Sequence, residues 1–155
     1  MQQTMLQAGM ICLRVNGAAV DIIVRPADTL LDALRERLRL TGAKPACENG
    51  DCGACTVLVD GSPVQACMML AVEAIGHEIT TIEGLRMVPI QREFQAALAE
   101  SCGYCTPGFV MNCHALVTLH PDAYDEMIDE WLESNLCRCT GYEEIRAAVK
   151  SVLGR

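Results

Sequence analysis

The amino-acid sequence predicts an α+β protein, with strands in its first half and helices throughout its second. Three observations carry this expectation. Apolar and polar residues alternate on either side of two turn dipeptides, Asn16-Gly17 and Asp60-Gly61. From Ile90 onward the apolar period lengthens to that of helices. Ten cysteines fall into two groups of four, one per half, leaving Cys12 and Cys113 over.

Residues 11 to 24 read as a β-hairpin, with Ile11, Leu13 and Val15 before the turn and Val20, Ile22 and Val24 after it. After Pro26, Asp28 is the expected cap of a helix that carries Leu30, Leu31, Leu34 and Leu38 on one face and ends before Gly42. The stretch K-P-A-C-E-N-G-D-C-G-A-C has no period and reads as a loop. T-V-L-V-D-G-S-P-V-Q-A forms a second hairpin, closed by Cys67. A helical run from Met68 to Ala74 and an extended segment from Glu78 to Ile82 complete a unit of roughly 75 residues.

Beyond a linker at Gly84 to Pro89, four segments follow i, i+3, i+4 spacing. They are marked by Ile90, Phe94, Ala97 and Leu98, by Val110, Cys113, His114 and Val117, by Tyr124 to Leu132, and by Ile145 to Leu153. Four short amphipathic helices make a small bundle. The boundaries expected are a flexible tail over 1–9, a strand-rich domain over 10–84 and a helical domain over 85–155.

With 12 basic and 20 acidic residues the net charge is −8, which argues against nucleic acid or an anionic membrane as partner. No apolar run is long enough for a membrane span, and no basic and apolar leader opens the chain. The location expected is therefore cytoplasmic, where cysteines at this density serve metals or redox chemistry more often than disulfides.

The first group, Cys47-x4-Cys52-x2-Cys55, has the loop spacing of plant-type 2Fe-2S ferredoxins, and Cys67 follows 11 residues on. Gly50, Gly53 and Ala54 let such a loop wrap closely and aim N–H groups at sulfur. In the second group Cys102 and Cys105 precede one helix start and Cys137 and Cys139 another, 31 residues later. Cys105-Thr106-Pro107-Gly108-Phe109 and Cys139-Thr140-Gly141-Tyr142 echo each other. Thr106 and Thr140 suit N-caps, Pro107 a first helical position, and Glu143 a capping box with Thr140. Helix starts stabilise thiolates through free N–H groups and the dipole. Structural zinc is the alternative for each group, but it favours two C-x2-C knuckles and neither group has them.

Cys12 and Cys113 read as small buried hydrophobes, His114 as core or interface, and His77 and His120 as surface residues. The acidic run from Asp122 to Glu133 reads as the solvated face of a helix. The sequence contains no nucleophile–base pair and no phosphate-binding glycine loop.

C-E-N-G-D-C-G-A-C-T-V-L-V-D-G, E-I-T-T-I-E-G-L, C-G-Y-C-T-P-G and N-L-C-R-C-T-G-Y, in that order, resemble the signatures of the small iron-sulfur subunit of molybdenum hydroxylases, the xanthine oxidase group. The resemblance implies a β-grasp ferredoxin domain followed by a four-helix domain. It implies one 2Fe-2S cluster on Cys47, Cys52, Cys55 and Cys67 and another on Cys102, Cys105, Cys137 and Cys139. It also implies a large partner subunit with a molybdenum pterin, often a cytosine dinucleotide, and a medium subunit with FAD, assembled as a dimer of heterotrimers. Electrons would pass from molybdenum through the two clusters to the flavin. Cys139 would lie against the pterin, and Ser101 would stand near it where the family usually has glutamine; serine is too short for the same contact. Ala46 replaces a common glycine. The other functions the sequence allows are a free-standing two-cluster ferredoxin and a zinc-stabilised interaction module.

Overall fold

The computed structural model describes residues 8–155. Of the tail expected over 1–9, residues 1–7 lie outside the described residues, and Gly9 opens the first strand. Strands β1 (Gly9–Val15) and β2 (Ala18–Val24) form the expected hairpin. Its turn places Asn16 and Gly17 at φ 52° and 80°, the left-handed pair that matches strand twist. Leu13, Val15, Ile22 and Val24 point inward and are buried. Cys12 occupies the alternate register, so it is exposed and not the buried residue expected; its thiol sits beside Asp21, which raises its pKa.

Helix α1 (Leu30–Asp32) continues as a wider turn over Ala33–Arg37 that closes with Leu38 N–H on the Ala33 carbonyl at 3.2 Å. Its cap is Thr29 and not Asp28. Thr29 Oγ1 accepts from Asp32 N–H at 3.1 Å, and Asp32 answers onto Thr29 N–H at 3.0 Å. Asp28 is instead nearly buried and accepts from Arg25 N–H at 3.0 Å and Arg25 Nε at 2.9 Å, with Arg37 3.5 Å away.

β3 (Thr56–Val59) and β4 (Ser62–Gln65) form the second hairpin, and β5 (Glu78–Thr80) follows a 3₁₀ turn over Ala71–Ala74 that replaces the longer helical run expected from Met68. The sheet order is β2-β1-β5-β3-β4, with β1 and β5 parallel and the other pairs antiparallel. The shortest and last strand is thus the central one, and Ile79 on it is fully buried. α1 closes one face of the sheet with Leu30, Leu31 and Leu34.

β3 is buried at all four positions, the mark of a strand covered on both sides. Val57 and Val59 face the α1 side, whereas Leu58 meets Met111 and Ala115 of α3 (Thr106–Leu119). Around α3 pack α2 (Pro89–Ala96), α4 (Asp125–Leu132) and α5 (Glu143–Val152), so all four expected helices form. Their core includes Ile90, Phe94, Phe109, Cys113, Leu116, Ile128, Ile145 and Val149. Cys113 is buried as expected, while Leu98 lies beyond the end of α2 with φ 53° and a 78% exposed side chain.

His114 is half-buried on α3, His77 is exposed beside Asp60, and His120 packs edge-on against Trp131. The acidic face of α4 is partly paired. Asp125 meets Lys150 at 2.6 Å and Arg155 at 2.8 Å, and Asp129 meets Arg146 at 2.9 Å.

The Arg25 N–H, together with the Arg25 and Arg37 side chains, holds the Asp28 carboxyl below its usual pKa of 3.8. A depressed carboxyl contributes stability above its unfolded pKa and loses it as pH falls through the folded one. Asp28→Ala should cost about 2 kcal/mol in urea unfolding at neutral pH. The difference from wild type should shrink below about pH 4.

Candidate metal centres

The loop between α1 and β3 curls because Glu48, Gly50 and Gly53 all take positive φ, at 56°, 89° and 65°. Successive N–H groups consequently turn inward, and Cys52 N–H lies 3.3 Å from Cys47 Sγ. The N–H of Asn49, with those of Cys52 and Asp51, pulls the Cys47 thiol down to about 7. Cys55 is buried immediately before β3, and burial pushes its thiol up to about 12. Its neighbour is Cys67, just past β4, and Ala66 N–H donates to the Cys55 carbonyl at 3.3 Å. Within the first set, Cys47 lies beside Cys52 and Cys55 beside Cys67, with Cys52 also near enough to raise Cys55.

The second set is cross-paired. Cys105 lies beside Cys137 and Cys102 beside Cys139, so each pair takes one sulfur from each helix start. Cys105 itself caps α3, with Phe109 N–H on its carbonyl at 3.1 Å, so Thr106 and Pro107 are the first helical residues instead of cap and first position.

The expected Thr140–Glu143 capping box does not form. α5 starts after Tyr142, at φ 69°, and Thr140 turns its donors on sulfur: Oγ1 lies 3.1 Å and N–H 3.4 Å from Cys137 Sγ. Burial opposes the Cys137 thiolate, but the Thr140 hydroxyl and N–H together with the Cys139 N–H and the Cys105 thiol outweigh it and keep this thiol below its usual pKa. Burial pushes Cys105 up to about 12. The Cys102 thiol alongside raises Cys139.

All four sulfurs of the second set line one cavity of about 170 Å³, which Cys52 of the first set also reaches. Among the described residues no group of three or more His, Cys, Asp or Glu side chains is gathered tightly enough to hold a single ion. The sulfurs approach pairwise instead, with backbone and hydroxyl donors aimed at them. This donor set suits a group carrying several negative charges on sulfur. A larger cavity of about 480 Å³ lies between α4 and α5 beside Asp129 and Arg146, but no thiol lines it.

Residues 13–78 match the family model described as "2Fe-2S iron-sulfur cluster binding domain", and residues 81–150 match "[2Fe-2S] binding domain". The nicotinate dehydrogenase small FeS subunit of Eubacterium barkeri is 45% identical over 147 residues, which cover 92% of this chain and 94% of that one. The chain belongs to the small iron-sulfur subunits of the xanthine dehydrogenase family.

Caffeine dehydrogenase subunit gamma of Pseudomonas sp. (strain CBB1) is 44% identical, with 95% of this chain and 92% of the relative covered. Among solved structures, quinoline 2-oxidoreductase from Pseudomonas putida 86 superposes with TM-score 0.90 and 39% identity, covering 96% of this chain and 95% of that one. This family membership agrees with the two cysteine sets, one within each matched region.

The residues that sequence reasoning missed lie between the sulfurs. Tyr142 is the clearest case, because its hydroxyl accepts Cys137 N–H at 2.8 Å while its ring meets Phe109 edge-on at 5.9 Å. Only its place in the Cys-Thr-Gly-aromatic echo marked it. The Tyr142 O–H also donates to the Asn135 carbonyl at 3.4 Å, so Tyr142→Phe should cost about 1–2 kcal/mol in chemical unfolding, the worth of one good and one long hydrogen bond, with packing kept.

Proposed function

We propose that this chain is the electron-transfer subunit of a molybdenum-containing hydroxylase or dehydrogenase. Cys47, Cys52, Cys55 and Cys67 would hold one 2Fe-2S cluster, and Cys102, Cys105, Cys137 and Cys139 the other. The observation that carries this reading is the cross-pairing of the second set over a single cavity, with Thr140 donating to sulfur. When bound, each cluster would take up and release one electron at a time. What the chain itself contributes is N–H and O–H donors at sulfur, burial of Cys55 and partial burial of Cys105, and direct backbone contact between the sets through Leu136 and Cys52.

The reading extends to layout and partners. The sheet with α1 across it, over 10–84, corresponds to a β-grasp ferredoxin domain, and 85–155 to a four-helix cluster domain. A large subunit with a molybdenum pterin, as a cytosine dinucleotide, would cover the open side of the second set. There Cys102 and Cys139 are exposed beside the half-exposed apolar side chains of Tyr104 and Leu136. Cys139 would touch the pterin, with the exposed Ser101 nearby. A medium subunit with FAD would receive the electrons, in a cytoplasmic dimer of heterotrimers. Relatives named for nicotinate, caffeine and quinoline make N-heterocycles the first substrates to assay with the assembled enzyme.

Purified from its native source, the chain should elute with two larger subunits, one containing molybdenum and one containing flavin. Its reduced form should give two distinct 2Fe-2S EPR signals. A donor to sulfur favours the more negative reduced state, so Thr140→Val should lower the midpoint potential of one signal only. The size expected from one lost hydrogen bond of about 1 kcal/mol is on the order of 40 mV. Recovery of the chain alone, with one signal or none, would contradict the proposal.

A further inference from the structure

The two cysteine sets are joined through a contact in which no sulfur takes part. Gly53 sits between Cys52 and Cys55, and its carbonyl accepts Asn135 Nδ2 at 2.8 Å. Asn135 is 1% exposed and stands two residues before Cys137. Gly108, in the first turn of α3 after Cys105, completes the contact. A Cβ there would come within 2.3 Å of the Gly53 carbonyl oxygen, and a Cβ on Gly53 within 2.3 Å of Asn135 Nδ2. Both distances are roughly 1 Å shorter than ordinary van der Waals contact, so three segments meet where only glycines allow it.

Flanking bonds fix the joint from both sides. Leu136 N–H donates to the Cys52 carbonyl at 3.0 Å, which ties the residue before Cys137 to a residue of the first set. Asn112 of α3 donates to the Trp131 carbonyl at 2.8 Å and to Ser134 Oγ at 3.0 Å, and Ser134 Oγ lies 3.0 Å from Asn135 Oδ1. The Asn135 amide is thereby held with its nitrogen toward Gly53.

We infer that Asn135, with Gly53 and Gly108, is a positioning joint that sets the separation and orientation of the two cysteine sets, and so governs electron exchange between the centres they hold. The inference rests on the proposed reading that both sets bind clusters. Asn135→Asp keeps the shape but replaces the donor with an acceptor facing a carbonyl, and Gly108→Ala wedges the same contact apart from the α3 side, its Cβ 2.3 Å from the Gly53 oxygen and 3.2 Å from Asn135 Nδ2.

The test uses the cluster-loaded complex as purified, with Ile128→Val, a conservative cavity in the helical core, as a control for lost stability. With both centres reduced, EPR should show that Asn135→Asp and Gly108→Ala each keep two signals but lose the magnetic splitting between them. The control should keep that splitting. Amide exchange at Leu136 should also quicken in Asn135→Asp while exchange within α5 stays unchanged, a readout that survives loss of iron. Splitting retained in both variants, or an unchanged Leu136 exchange rate, would overturn the joint. Absence of two signals in the unaltered chain would overturn the cluster reading instead.

Discussion

Sulfur that would carry negative charge in a bound cluster has to be accommodated in a protein with a net charge of −8, and the rest of the structure depends on how this is done. No lysine or arginine bonds to the eight sulfurs among the described contacts. The charge is met by dipoles, namely N–H groups in the curled loop at Cys47 and the Thr140 donors at Cys137. Fixed dipoles suit an electron carrier, because they are already oriented and need not reorganise when its charge changes. The left-handed conformation at Glu48, costly for a residue with a Cβ and free of that cost at Gly50 and Gly53, curls the loop so that these N–H groups face sulfur.

The same constraint shapes the architecture. A strand-rich unit and a helical unit could each form a separate core, and they do so around Ile79 and around Phe109. Yet β3 gives its outer face to α3 through Leu58, Met111 and Ala115, and Leu136 bonds across to Cys52. Tyr104 also donates its hydroxyl to the Pro45 carbonyl, next to the loop of the first set. The units therefore hold each other in one arrangement near the sulfurs, where a loose linker would leave their separation variable.

Much of this was legible in the sequence because local signals were strong. Asn16-Gly17 and Asp60-Gly61 both turn as their chemistry demands, and the helical period after Ile90 corresponds to four real helices. The grouping of the cysteines was legible from spacing, and within each group sulfurs lie side by side in pairs. The parts that were not legible are those decided by tertiary contact. β5 is too short to announce itself as the central strand. Thr140 looked like a helix cap because its Thr-x-x-Glu pattern is a good one locally, but sulfur made a better use of its hydroxyl. Asp28 and Thr29 are adjacent potential caps, and Asp28 was taken by Arg25. Nothing in periodicity marks Asn135 or Gly108, whose roles exist only where three segments cross.

The central claim is that eight particular sulfurs enclose two iron dimers. It is tested most directly by counting iron and acid-labile sulfide per chain in the wild type and in a variant with Cys102 and Cys137 both changed to serine. Two 2Fe-2S centres correspond to four of each in the wild type, and loss of the second centre to two of each in the variant. Zinc without sulfide in the wild type, or an unchanged count in the variant, would contradict the account.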